Sequence, residues 1–161
     1  WTAPARYAAF VRRRWVADTH PVDAFAATAS AIKVVQLAAL VNFVLRVLQW
    51  PLLRIPSAEV IAMSAAMVAF GQVLNGAIYA AIGKAGVYYG VRLGKTVPWC
   101  DGFPFSVVSH PQYVGSVLTI WGLMLALWDA AAASPFRAVI GYLAAFWTVL
   151  YAYTAYFEDY H

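Results

Sequence analysis

The chain has 161 residues, 63% of them hydrophobic, 16% aromatic and only 11% charged, against roughly 25% charged residues in soluble domains. A small domain leaves too many positions facing outward to bury that much apolar surface against itself, so lipid must cover the remainder. The net charge of +4 is not gathered into a basic groove with interleaved aromatics, which disfavours a nucleic-acid partner, and one cysteine with three scattered histidines gives neither a disulfide framework nor metal-ligand spacing.

In chain order, residues 1–28 read as a short amphipathic segment lying on the membrane surface. The chain opens on Trp1 rather than Met, so a removed leader or a longer parent chain is expected. Four apolar runs follow at roughly 30–53, 57–80, 113–133 and 135–157, each close to the ~20 residues that a helix needs to cross the hydrocarbon layer. The first carries Lys33 near its start and Arg46 near its end, from where long stems reach the headgroups. The second is rich in Ala and Gly (Ala65, Ala66, Ala69, Gly71, Gly76), the composition of a tightly packed membrane helix. Between the second and third runs lies a Gly- and Pro-rich interfacial loop over 84–112, and Ser134–Pro135 reads as the cap and first turn of the fourth helix. The fold class is therefore all-α, a polytopic membrane helix bundle of about four transmembrane helices, divided into the N-terminal interfacial segment 1–28 and the membrane domain 29–161.

Four crossings put the N-terminal segment, the 84–112 loop and the C-terminus on one side. That side collects Arg6, Arg12, Arg13, Arg14, Lys33, Lys84, Arg92 and Lys95, leaving Arg46, Arg54 and Arg137 towards the other. By the positive-inside rule the richer face is cytosolic, matrix-like or stromal. The organelle stays open between the endoplasmic reticulum and a mitochondrial or plastid inner membrane. The same topology brings His110 and the Glu158–Asp159 pair to one interface.

Ser109-His110-Pro111-Gln112-Tyr113-Val114-Gly115 opens the third span. Pro111 suits a first helical turn, with His110 or Ser109 as the cap, and the free N–H groups there form an anion site. Gly115 lets a ligand or a neighbouring helix approach the backbone; an ordinary capped helix start explains the same residues. Glu158 and Asp159 close the fourth span, where the helix dipole disfavours carboxylates; a cationic or hydroxyl-bearing ligand explains their presence, as does plain hydration. Lys84, Arg92 and Lys95 lie at the height of lipid phosphates, where they set topology or clamp a phosphate.

Over roughly 58–160 the chain resembles the integral-membrane phospholipid N-methyltransferases, relatives of the isoprenylcysteine carboxyl methyltransferases. The resemblance rests on Phe103-Pro104-Phe105, His110-Pro111-x-Tyr113-x-Gly115 and the terminal acidic pair. It implies a four-span bundle that binds S-adenosylmethionine (SAM) at the interface and methylates a phosphatidylethanolamine-type amine, towards phosphatidylcholine. The family's Gly-x-Gly falls on Ala69-Phe70-Gly71, keeping only Gly71, and its Glu-Glu falls on Glu158-Asp159. Carried over, Gly71, His110, Pro111, Tyr113, Gly115, Glu158 and Asp159 bind the cofactor. His110 or Glu158 takes the amine's proton, Arg92 and Lys95 hold the lipid phosphate, and no metal takes part. The expected partner is a membrane phospholipid. The rival expectation is a catalytically idle subunit of a larger membrane complex, and methylation of a prenylated cysteine is a third reading.

Overall fold

A computed structural model describes residues 3–14 and 19–160, with side chains as far as Glu158. Asp159, a predicted cofactor ligand, thus has its side chain outside the described residues. Helix α1 spans Pro4–Arg14, α2 Pro21–Asn42, α3 Ala58–Val87, α4 Pro111–Ala130 and α5 Arg137–Tyr160. Four stretches, Pro21–Val47, Ala58–Leu93, Pro111–Ala130 and Arg137–Glu158, are long and apolar enough to cross a membrane, as the hydropathy runs predict.

The first of them starts at Pro21 rather than near residue 30. Local chemistry sets that start: the His20 imidazole accepts from the Val22 N–H at 3.2 Å, Pro21 occupies the first turn and Asp23 follows it, a favourable N-terminal combination. Residues 21–28 are thereby continuous with the span, and Lys33 lies near its middle instead of its end. At its far end α2 widens into a π-helical turn over Phe43–Val47. Gln49 then turns left-handed, with φ 59°, directly before a short 3₁₀ turn over Trp50–Leu52, whose Pro51 lacks the N–H that would continue an α-helix.

Ser57 caps α3, its Oγ accepting from the Val60 N–H at 3.4 Å. The helix changes direction at Gly83, where φ is 63°, a region open to glycine at little cost. Past that bend the chain passes through Tyr89, φ 55°, and a short 3₁₀ turn over Gly90–Leu93. Helix α5, the fourth span, starts at Arg137, slightly later than Ser134–Pro135 suggests; Ser134 Oγ accepts from the Phe136 N–H at 3.2 Å and so supports the turn before it.

Helices α3 and α4 pack through small residues. A Cβ on Gly71 would lie 2.5 Å from the Gly115 carbonyl oxygen, and one on Gly122 would lie 2.8 Å from that of Ser64. This is the close backbone approach by which helices associate in lipid. Gly76, in contrast, meets nothing within 4 Å. Helix α5 joins α4 through Trp121, whose indole N–H donates to Thr148 Oγ1 at 2.8 Å.

Among the described residues, helix α2 is tied to the bundle near its two ends. At one end Lys84 Nζ lies 2.6 Å from Asp23 Oδ1. At the other, Leu40, Phe43 and Val44 pack against a buried cluster of Leu48, Met124, Ala131, Ile140 and Ala144. Between these ends α2 stands away from α3, and a cleft opens.

Candidate functional site

The cleft holds about 1190 Å³ and is lined by residues from α2, α3, α4 and α5. Its polar mouth is built where three chain segments converge. Tyr89 arrives from the left-handed turn after α3, Tyr113 from the first turn of α4, and Glu158 from the end of α5. Both phenols donate to the same carboxylate oxygen, Glu158 Oε1: Tyr113 at 2.5 Å and Tyr89 closer still. The two hydroxyls lie 3.3 Å apart. Among the described residues Glu158 has no cationic partner, so its negative charge is oriented by neutral donors and faces the cleft.

His110 caps α4 through its position, with φ −123° and ψ 67°, but its side chain makes no capping hydrogen bond. The ring instead stacks on Tyr113, centroids 5.9 Å apart and 25° from parallel. Tyr113 leans in turn on Tyr151 at 5.7 Å, and Tyr151 on Trp147 at 6.4 Å. One wall of the cleft is thus an aromatic column running inward from the mouth. Opposite it, Phe25 of α2 packs edge-on against Tyr88 and Tyr89, at 6.1 and 5.9 Å.

Of the residues predicted from sequence, Arg92, His110, Pro111, Tyr113 and Glu158 line this cleft. Lys95 does not; its backbone N–H closes the 3₁₀ turn by donating to the Gly90 carbonyl at 2.8 Å. Gly71 and Gly115 also lie off the lining, in the α3–α4 seam, where each leaves room for the backbone of the other. Of the two alternatives for Gly115, the approaching group is the neighbouring helix. Among the described residues no cluster of three or more His, Cys, Asp or Glu side chains forms.

Sequence reasoning passed over several lining residues. Gln72 and Asn75 on α3 face Ser116 and Thr119 on α4, with Gln72 Nε2 donating to Thr119 Oγ1 at 2.9 Å. Their signal was present, since polar side chains inside an apolar span are costly and tend to be functional. Tyr89 gave none, because only its left-handed backbone directs it to Glu158.

Residues 60–161 match the family model described as phospholipid methyltransferase. Over 54 residues the chain is 54% identical to the phosphatidyl-N-methylethanolamine N-methyltransferase of Arabidopsis thaliana; this stretch is 34% of the chain and spans only 33% of that relative's length. No solved structure matches the chain. The family match covers well over half of the sequence and takes in every residue that forms the polar mouth, from Tyr89 to Glu158: the chain belongs to the phospholipid methyltransferase family.

Proposed function

We propose that the protein methylates the amine of a phosphatidylethanolamine-type phospholipid, with SAM as the methyl donor. The observation that carries this reading is Glu158, an oriented carboxylate without a cationic partner among the described residues, at the mouth of a cleft with aromatic walls. Such a site suits cationic groups, which gain both from the carboxylate and from ring faces. The volume supports it too. About 1190 Å³ exceeds the ~300–1,000 Å³ of a pocket for one small ligand, leaving room for a cofactor beside a lipid headgroup.

The residues present fit the donor. Glu158 is suited to its ammonium or ribose hydroxyls, the first turn of α4 to its carboxylate, and the ring faces of Tyr113 and Tyr151 to its aromatic and sulfonium portions. When bound, SAM supplies an electrophilic methyl group on a positively charged sulfur. The chain's own task is positional: to hold the acceptor amine in line and keep water out. Because only a neutral amine attacks, His110 and Glu158 are the groups at the mouth suited to receive its proton.

The test uses the purified protein in bilayers containing phosphatidylethanolamine, supplied with methyl-labelled SAM. Label is expected in the lipid fraction. If the protein neither binds SAM nor labels any lipid amine, the idle-subunit reading replaces this one. The membrane in which the protein works is proposed as the endoplasmic reticulum or an organellar inner membrane, with the mouth facing the more basic side.

A further inference from the structure

The cleft continues well beyond its polar mouth, and the side chains of α2 along it follow an order. Phe25 packs on Tyr89, the phenol bonded to Glu158, so residue 25 marks the level of that carboxylate. Lys33 lines the cleft eight residues further along α2, about 12 Å deeper at 1.5 Å per residue. Gln36 lines it one turn beyond, and Leu40 and Phe43 line it deeper again. Across the gap Gln72 and Asn75 stand on α3. The order along α2 runs from the level of the carboxylate and aromatic rings, through the Lys33 ammonium and then the Gln36 amide, to hydrocarbon.

Lys33 lies near the middle of the span Pro21–Val47 and has no ion pair or hydrogen bond to a described residue. A cation at that depth is expensive and calls for a counter-charge. Side chains of a helix lean towards its N-terminus, so the Lys33 stem points back towards the mouth and shortens the distance to Glu158. A phospholipid presents groups in the matching order: amine outermost, phosphodiester next, glycerol esters, then acyl chains.

We propose that Lys33, its stem reaching back along the cleft towards Glu158, is the subsite for the phosphodiester of the acceptor lipid, with the Gln36, Gln72 and Asn75 amides lining the same cleft. This rests on the methyl-transfer reading for the identity of the lipid, and it assigns the phosphate to a residue within the membrane span. The headgroup is drawn down into the cleft, so that its amine comes level with Glu158 and the ring column.

The test compares wild type, Lys33→Gln and Lys33→Arg in nanodiscs containing phosphatidylethanolamine and diacylglycerol. Native mass spectrometry reads the retained lipid, calorimetry reads SAM affinity, and labelled SAM reads the lipid KM. Lys33→Gln is expected to lose retained phosphatidylethanolamine and to raise the lipid KM by about tenfold, the scale of one lost charge-assisted hydrogen bond. Diacylglycerol retention and SAM affinity stay at wild-type values, and Lys33→Arg restores the phospholipid. Unchanged retention in Lys33→Gln overturns the subsite. So does a matching loss of SAM affinity, which would put Lys33 on the cofactor. If wild type retains phosphatidylethanolamine through Lys33 but methylates nothing, the methyl-transfer reading falls and the phosphate subsite stands. If Lys33→Gln methylates with an unchanged lipid KM, the subsite falls and methyl transfer stands.

Discussion

Gly71 and Gly115 occupy one another's missing side-chain volume: a Cβ on the first would lie 2.5 Å from the carbonyl oxygen of the second, and a Cβ on the second 2.7 Å from that of the first. Backbone opposes backbone at both positions, so neither can yield by a rotamer change. Gly71→Ala and Gly115→Ala are each expected to destabilise the α3–α4 pair by about 1–3 kcal/mol, the usual range for overpacking. Thermal unfolding in detergent measures this. Unchanged melting temperatures in both variants would show that the two backbones do not oppose one another this closely. Gly76→Ala, with open space around it, should melt at or above the wild-type temperature, since Ala is the better helix former.

Glu158 depends on its two phenols for orientation and is the carboxylate assigned to the donor's ammonium or hydroxyls. Glu158→Gln is expected to weaken SAM binding by ~1–3 kcal/mol, the range for a hydrogen bond lost from a charged group. Tyr113→Phe should cost less, because Tyr89 continues to orient the carboxylate. Calorimetry on the two variants and on Glu158→Gln/Asp159→Asn makes the comparison. Wild-type affinity in the double variant would remove the acidic pair from the site.

The four spans were legible because hydropathy over twenty residues does not depend on what the helix later packs against. That His110 and Glu158 come to the same cleft was legible as well, since an even number of crossings fixes which loops share a face. Contacts between helices were not. Gly71 and Gly115 carry motif positions, but nothing in the one-dimensional pattern distinguishes a glycine that opens a cofactor site from one that admits a neighbouring helix. The mid-span place of Lys33 is hidden from hydropathy for a local reason: Asp23, Thr28 and Ser30 lower the hydropathy of the first turns of α2, so the apolar run starts after the helix does. Tyr89 acquires its role from a positive φ, which no propensity foretells for a tyrosine.

Asp129 ties the end of α4 to the start of α3. Its carboxylate takes the Arg54 guanidinium at 3.1 Å and the Ser57 N–H at 2.8 Å, and the Arg54 Nε–H donates to the Asp129 backbone carbonyl at 3.2 Å. Asp129→Ala should therefore lower the melting temperature more than Arg54→Gln, because it releases the capping residue of α3 as well as the ion pair. Equal shifts in the two variants would mean that the bond to Ser57 contributes nothing.

The ends of the helices sort into two groups, and this bears on how the chain sits in the membrane. Lys84 with Asp23, and Tyr89 with Tyr113 and Glu158, join the N-terminal part of α2, the end of α3 and the turn after it, the start of α4 and the end of α5. Arg54 with Asp129 joins the two turns at the other end. Moving Lys33 to mid-span leaves seven basic residues on the first side against Arg46, Arg54 and Arg137, still enough asymmetry to orient the bundle. In a Cys100→Ser background, Lys95→Cys should react with an impermeant thiol reagent from the basic side of sealed vesicles, and Ala133→Cys, in the turn after α4, only from the other. Labelling of both from the same side would break the four-span topology. It would also separate the Glu158 mouth from the membrane face where SAM is expected, so the topology and the proposed chemistry are tested together.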